Sequence, residues 1–313
     1  MSEIRAEGQA GHVQMGQHGE PDHVLVHLSD THFLGGNRAL YGRVDTDRTV
    51  ERAFEQLERS GIRPEAVVIT GDIADLGEAD AYARVRGIIE PAVERLGAQL
   101  VWVMGNHDER NRFREQLLGE PASLDPVDRV YRLGGLRLIV LDTTVPGYHH
   151  GELAREQLDW LSAELSAPAP HGTLLALHHP PVPTPLAVMT ILELQRQHEL
   201  AEVVSGSDVR AILGGHLHYS TTSTFAGIPV SVAAATCYTM DLSAPVRELS
   251  GVDGAQSINL VHVYGDRTVH STVPIGDFER VAGFDADFLD RMEALSPEER
   301  IEAFSRHTQP SAI

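Results

Sequence analysis

The chain has 313 residues, 42% of them hydrophobic, which is enough for a substantial core in one large α/β domain or two smaller ones. Its 25 Lys and Arg against 45 Asp and Glu give a formal charge of −20, so a nucleic-acid polymer would be repelled, and no local basic track offsets this. The single cysteine, Cys237, excludes an internal disulfide and fits a cytoplasmic setting, and no run approaches the ~20 apolar residues that a membrane span needs.

Residues 1–22 are polar and Gly-rich and read as a flexible leader. Val24 to Leu28 is the first expected strand. Val50, Ala53, Phe54 and Leu57 then recur at helical spacing and Gly61 supplies the stop. Val67 to Thr70 is a second strand, Ala81 through Leu96 a helix that Pro91 is expected to kink or split, and Leu100 to Met104 a third strand. This alternation is that of parallel crossover units.

After Asp128 the run RVYRLGGLRLIVLD reads as a hairpin turning at Gly134-Gly135. A helix from Glu152 to Ser166 should bury Leu158, Leu161 and Leu165. Thr173 to Leu177 and Val209 to Leu213 are further strands. Two more strand pairs flank Gly227 and Gly265-Asp266, so the second half is richer in antiparallel pairing. These segments make residues 23–278 one domain, followed by a helical extension, 279–313. There Ser296-Pro297-Glu298-Glu299 has the form of a capping box ahead of Ile301, Ala303 and Phe304. The apolar face of that helix has to dock on the parent sheet or on a second subunit, which leaves room for a homodimer.

Five of the apolar runs stop on Asp, His or Asn: VLVHLSDTH, AVVITGD, LVWVMGNHD, LLALHHPP and VRAILGGHLH. They place Asp30, His32, Asp72, Asn106, His178, His216 and His218 at the C-terminal ends of strands, where α/β sheets gather ligand-binding groups. Asp30 and His32 project to one side if the backbone is extended, as do His216 and His218. Asp72 has two carboxylate oxygens and is able to bridge two cations. Asn106 offers a neutral carbonyl oxygen and leaves the neighbouring His107 free for proton transfer. His178 is assigned to the metal, although His179 serves equally well on spacing alone. Imidazoles and carboxylates together suit first-row metals better than calcium or magnesium.

Asp30-x-His32, Gly71-Asp72-x-x-Asp75, Gly105-Asn106-His107-Asp108, His178 and Gly215-His216-x-His218 together resemble the ordered signature of the calcineurin-like metallophosphoesterases. The segments HLSDTHF, VWVMGNHD, ALHHPP and GGHLHYS further resemble the actinobacterial class III cyclic nucleotide phosphodiesterases. The resemblance implies an α/β fold, a four-layer αββα sandwich of two mixed β-sheets flanked by helices. It also implies one metal, often iron, on Asp30, His32, Asp72 and His218, and a second, manganese or zinc, on Asp72, Asn106, His178 and His216.

The expected chemistry is hydrolysis of a small phosphodiester, 3′,5′-cyclic AMP or a 2′,3′-cyclic nucleotide, by a hydroxide held between the two cations. His107 is the expected proton donor to the leaving oxygen, and the resemblance implies that Asp75 orients it. Asn106, His107 and His149 are the candidate substrate contacts, with His150 beside the last of these and Tyr238 a candidate for packing on a base. Glycerophosphodiesters and nucleotide sugars are the alternative substrates, and a non-catalytic scaffold is the alternative of another class. Leu76 stands where the protein phosphatases of the superfamily carry arginine, which counts against a phosphoprotein substrate.

Overall fold

The computed structural model describes residues 13–306; the first part of the expected leader, 1–12, and the end of the expected extension, 307–313, lie outside the described residues. Residues Pro21–Gly276 form one compact unit, and the flanking segments belong to a second. The larger unit opens with β1 (His23–Leu28), α1 (Thr46–Ser60), β2 (Ala66–Thr70), α2 (Ala79–Leu96) and β3 (Gln99–Val103), the βαβαβ alternation expected from the periodicity. A short helix, α3 (Arg110–Phe113), leads to the hairpin β4 (Arg129–Leu133) and β5 (Leu136–Leu141). Then come α4 (Arg155–Glu164), β6 (Thr173–Leu177), α5 (Gln197–Val204), β7 (Val209–Gly214), β8 (Thr221–Phe225) and β9 (Ile228–Val232). The two-residue strands β10 (Thr239–Met240) and β11 (Gly251–Val252) pair with each other, and β12 (Ser257–Val263) and β13 (Thr268–Pro274) close the unit.

These strands build two mixed sheets, in the orders β13-β12-β1-β2-β3 and β4-β5-β6-β7-β9-β8. Alternation of side chains gives each sheet two apolar faces. Leu25, Val68, Val101 and Val261 of the first sheet share one core with Leu138, Val140, Leu174 and Leu213 of the second. The opposite face of the first sheet packs Val26, Val67 and Ile69 against Phe54, Val85 and Ile89 of α1 and α2. The outer face of the second packs Ile139, Leu175 and Ile212 against Leu158, Leu161 and Leu200 of α4 and α5. The result is the four-layer αββα sandwich.

Two local expectations change. Pro91 does not split α2, which runs unbroken from Ala79 to Leu96. The proline forgoes one backbone bond, to the exposed Gly87, while Val85 and Ile89 before it and Ala92, Val93 and Leu96 after it are all buried in one core that holds both halves in line. Helix α4 starts at Arg155 rather than Glu152, and its first turn is fixed by the Gln157 side chain, whose Oε1 accepts the Ala154 N–H at 2.9 Å.

In the second unit, α6 (Ala286–Glu293) is followed by α7 (Pro297–Arg300), whose Ser296 and Glu299 form the expected capping box. Residues Ile301–Ser305 continue as one wide π turn, and Phe304 packs edge-on to the stacked pair Phe284 and Phe288.

The first sheet also buries histidines. His27 on β1 is fully enclosed, with Nε2 2.9 Å from Thr70 Oγ1 and Nδ1 without a partner among the described residues. Burial, aided by the charge of His270, pushes its pKa from 6.5 down to about 3, and burial lowers His270 to about 4. Below pH 6.5 the unfolded chain therefore takes up protons that the folded chain refuses, so stability falls as pH falls, by about 1.4 kcal/mol per pH unit for each such group. Urea unfolding between pH 7 and pH 4.5 should show this loss, and His27→Gln should flatten it by close to one proton; an unaltered slope would show that His27 titrates normally.

Candidate metal centre

Because β1, β2, β3, β5, β6 and β7 run parallel within their sheets, their C-terminal ends open on one edge, and the packing of the two sheets brings these edges together. A bridge between Ser29 and Ala235 and the bond from Gly215 N–H to the His178 carbonyl (3.0 Å) tie the loops at that edge. Asp30 and His32 follow β1, Asp72 follows β2, Asn106 and His107 follow β3, His178 follows β6, and His216 and His218 follow β7.

The backbone there is not extended. Asp30 (φ 54°), His32 (φ 45°), Asp72 (φ 51°), His216 (φ 69°) and His218 (φ 56°) all lie in the left-handed region. Each costs on the order of 1 kcal/mol or more without glycine, and such conformations persist where surrounding contacts over-determine them. Here the Asp30 N–H donates to the Gly71 carbonyl (3.0 Å) and the His32 N–H to the Asp72 carbonyl (2.9 Å). The His216 N–H points at the Asp30 carboxylate, 3.1 Å from Oδ2. The shared direction of Asp30 and His32 therefore comes from a curled ribbon rather than from strand alternation.

The imidazoles show what the cluster is built to hold. His178 Nδ1 lies 2.7 Å from the Thr70 carbonyl and His218 Nδ1 lies 3.1 Å from the Tyr238 carbonyl. His32 Nδ1 is 2.9 Å from Asp75 Oδ1. These partners only accept, so each Nδ1 carries a hydrogen and each Nε2 turns inward, where it offers a lone pair once its own proton is displaced. His32 Nε2 and His218 Nε2 are 3.2 Å apart. His178 Nε2 is 3.0 Å from Asn106 Oδ1 and 3.3 Å from Asp72 Oδ2, and the buried His216 Nε2 has no hydrogen-bond partner. Acceptors facing acceptors in a buried site repel unless a proton or a cation lies between them.

The titration pattern agrees. Burial favours neutral forms, yet His178 is pushed up to about 9, chiefly by Asp72, and His218 up to about 10 by Cys237 and Asp30. His216 and His179 are held well below the ordinary histidine value by burial and by neighbouring imidazoles. Asp72 stays well below the usual carboxylate range; burial opposes this, and His178 and His107 outweigh it. Ligand atoms of Asp30, His32, Asp72 and His218 all lie within 4.8 Å of one another, as do those of His178, His179 and His216. Nitrogen and carboxylate donors with outward N–H groups anchored on carbonyls and a carboxylate suit first-row metal ions.

His107, Asp75, His149 and Tyr238 are brought to the same edge by different routes. His107 Nδ1 bonds the backbone carbonyl of Asp75 (2.8 Å), whereas the Asp75 carboxylate is 3.6 Å away and serves His32. His149 comes within 2.9 Å of Asn106 Nδ2 and its ring stacks 5.0 Å from His107, while His150 turns to Glu152 at 3.5 Å. His179 supports that loop: its Nδ1 meets Thr143 Oγ1 (2.8 Å) and its Nε2 meets the His149 carbonyl (3.1 Å).

Asp108 has a function that the motif alone did not disclose. Its fully buried carboxylate accepts from the N–H groups of Ile73, Ala74 and Gly105 and from Tyr82 O–H, at 2.9–3.1 Å, and so locks the Asp72 loop to the Asn106 loop. Burial and the nearby Asp72 raise it to about 6. The signal was the carboxylate after His107, but three of its four partners lie 26 to 35 positions earlier in the chain.

The calcineurin-like phosphoesterase model matches residues 23–220, and the chain belongs to that family, whose fold implies a dinuclear metal centre. Among curated relatives, a cAMP/cGMP dual specificity phosphodiesterase of Mycobacterium tuberculosis is 57% identical over 86% of this chain and 84% of that protein. A glycerophosphodiester phosphodiesterase of Enterobacter lignolyticus is 32% identical, covering 69% and 78% respectively. A dimetal phosphatase structure from Danio rerio superposes with a TM-score of 0.59 at 16% identity, covering 82% of this chain and 98% of that one, a likeness of fold alone.

Gly105 has to be glycine here. A Cβ on it would lie 2.0 Å from the Asp72 amide nitrogen and 2.2 Å from Asp72 Oδ1. Gly105→Ala should thus lower bound transition metal per chain at least twofold, read by elemental analysis after dialysis, while Gly87→Ala, placed in open space, should retain it. Full metal retention in Gly105→Ala would mean that the two loops shift without disturbing the cluster.

Proposed function

We propose that the protein is a metal-dependent phosphodiesterase that hydrolyses cyclic nucleotides, with 3′,5′-cyclic AMP and related cyclic nucleotides as substrates. The observation that carries this reading is the inward convergence of imidazole and carboxylate lone pairs on Asp72, in a chain 57% identical to a cAMP/cGMP phosphodiesterase. Asp30, His32, Asp72 and His218 would hold one ion, for which iron is the proposal. Asp72, Asn106, His178 and His216 would hold the other, manganese or zinc. Asp72 is shared between them.

When bound, the two ions supply Lewis acidity at the phosphoryl oxygens and lower the pKa of water. The remaining work belongs to the chain. Asp75 fixes the His32 ring through its carboxylate and the His107 ring through its backbone carbonyl, leaving His107 Nε2 as the group that delivers a proton to the departing ribose oxygen. His149 and Asn106, held together at 2.9 Å, are placed to contact the phosphate. Net charge does not oppose a small anion, because bound cations reverse the local field.

The glycerophosphodiester relative motivates a second reading, that glycerophosphodiesters share the site. A homodimer and a cytoplasmic location are proposed alongside; no helix among the described residues is long and apolar enough to cross a membrane.

A panel of cyclic AMP, cyclic GMP, 2′,3′-cyclic AMP, glycerophosphoethanolamine and a phosphomonoester, assayed with added manganese, should show preference for the cyclic nucleotides. Preference for the glycerophosphodiester would favour the second reading. His107→Ala should keep its metal and lose on the order of 10²-fold in kcat, and Asp72→Ala should lose metal and activity together. Retained kcat in His107→Ala would remove it from proton transfer.

A further inference from the structure

A cavity of about 390 Å³ lies beside the metal centre, walled by Tyr41, Arg43, Tyr238, Met240 and Gly251 among others. One wall is continuous with the cluster: the Tyr238 ring packs 4.5 Å from the His218 ring at 52°. Tyr41 then meets Tyr238 edge-on at 5.6 Å, so an aromatic shelf runs outward from His218. Gly251 fixes the inner ring, since a Cβ there would come 2.5 Å from Tyr238 Cδ2.

The outer ring is displayed by a rigid turn. Leu40 and Val44 exchange backbone hydrogen bonds of 2.9 and 3.0 Å and are buried with Leu34 and Cys237. Between them Tyr41 holds φ 53° and leaves its ring 71% exposed. A bulky aromatic held in the left-handed region and turned toward solvent gains nothing for folding, and such strain gathers where ligands are clamped. Arg43, on the same turn, has no ion pair or side-chain hydrogen bond among the described residues, which leaves its donors available to the cavity.

We propose that the cavity bordered by Tyr41, Tyr238 and Arg43 receives the purine base of the substrate, an inference that rests on the cyclic nucleotide reading above. A purine presents a flat π-face to the exposed Tyr41 ring and an N7 acceptor to a guanidinium. The volume lies in the range of small-ligand sites. Tyr238 touches both His218 and Tyr41, so the shelf connects the metal-ligand cluster to the cavity.

The test compares kcat/KM for cyclic AMP with kcat/KM for its abasic analogue, a ribose 3′,5′-cyclic phosphate without the base, in the metal-loaded full chain. In Tyr41→Ala the ratio should fall by about tenfold, within the range that loss of a base-stacking aromatic produces. Tyr41→Phe should restore it, and Arg43→Ala should lower it further on the wild-type background. Tyr41 is exposed, so these variants should fold. An unchanged ratio in Tyr41→Ala, with cyclic AMP still hydrolysed, overturns the base site and leaves the phosphodiesterase reading standing. Wild-type protein that cleaves the abasic ester but no cyclic nucleotide overturns both. Equal losses on the two substrates, with a dimer dissociating in light scattering, would make the shelf a subunit interface and overturn the proposal.

Discussion

A buried cluster of imidazoles and carboxylates that draws in positive charge governs this molecule. His32, His178 and His218 each spend their N–H on an outer carbonyl or carboxylate, and their remaining nitrogens crowd Asp30, Asp72 and Asn106. Buried groups of this kind destabilise a fold unless something positive joins them. Protons on His178 and His218 supply that charge in the metal-free chain, and the left-handed backbones of Asp30, His32, Asp72, His216 and His218 are held in place by the hydrogen bonds around the same cluster.

The sandwich supports this cluster. Each loop that carries a functional residue extends from a strand buried on both faces, and the inter-sheet core of Leu25, Val68, Val140, Leu174 and Leu213 holds the two edges at one separation. Crosslinks at the edge complete the alignment. Asp108 joins two loops through four hydrogen bonds, Asp30 takes the His216 amide, and His179 holds the loop that brings His149 to Asn106. Gly105 allows the Asn106 loop to approach Asp72 more closely than any side chain permits.

Asp75 orients two imidazoles at once. Its carboxylate sets the tautomer of His32, and its carbonyl sets that of His107. A substitution that keeps the backbone therefore acts first on His32, whereas one that moves the loop acts on both. The aromatic shelf from His218 to Tyr41 extends the same organisation outward, from the buried imidazole and carboxylate cluster to the exposed cavity wall.

The positions of the candidate metal ligands along the chain were legible because they are local: an apolar β-branched run followed by Gly-Asp, Asn-His or His-x-His says where a strand ends and a polar cluster begins. The βαβ alternation, the hairpin at Gly134-Gly135 and the capping box at Ser296 are local in the same sense, set by periodicity and turn chemistry within a few residues. What pairs across the chain was not legible. That Asp75 reaches His32 with its carboxylate, that His149 rather than His150 turns inward, that Asp108 clamps two loops and that Tyr41 meets Tyr238 all depend on residues 26 to 197 positions apart, brought together by sheet packing and loop curvature. Even the common direction of Asp30 and His32 came from left-handed turns that no alternation rule encodes, because hydrogen bonds to the neighbouring β2 loop outweigh the intrinsic preference of each residue.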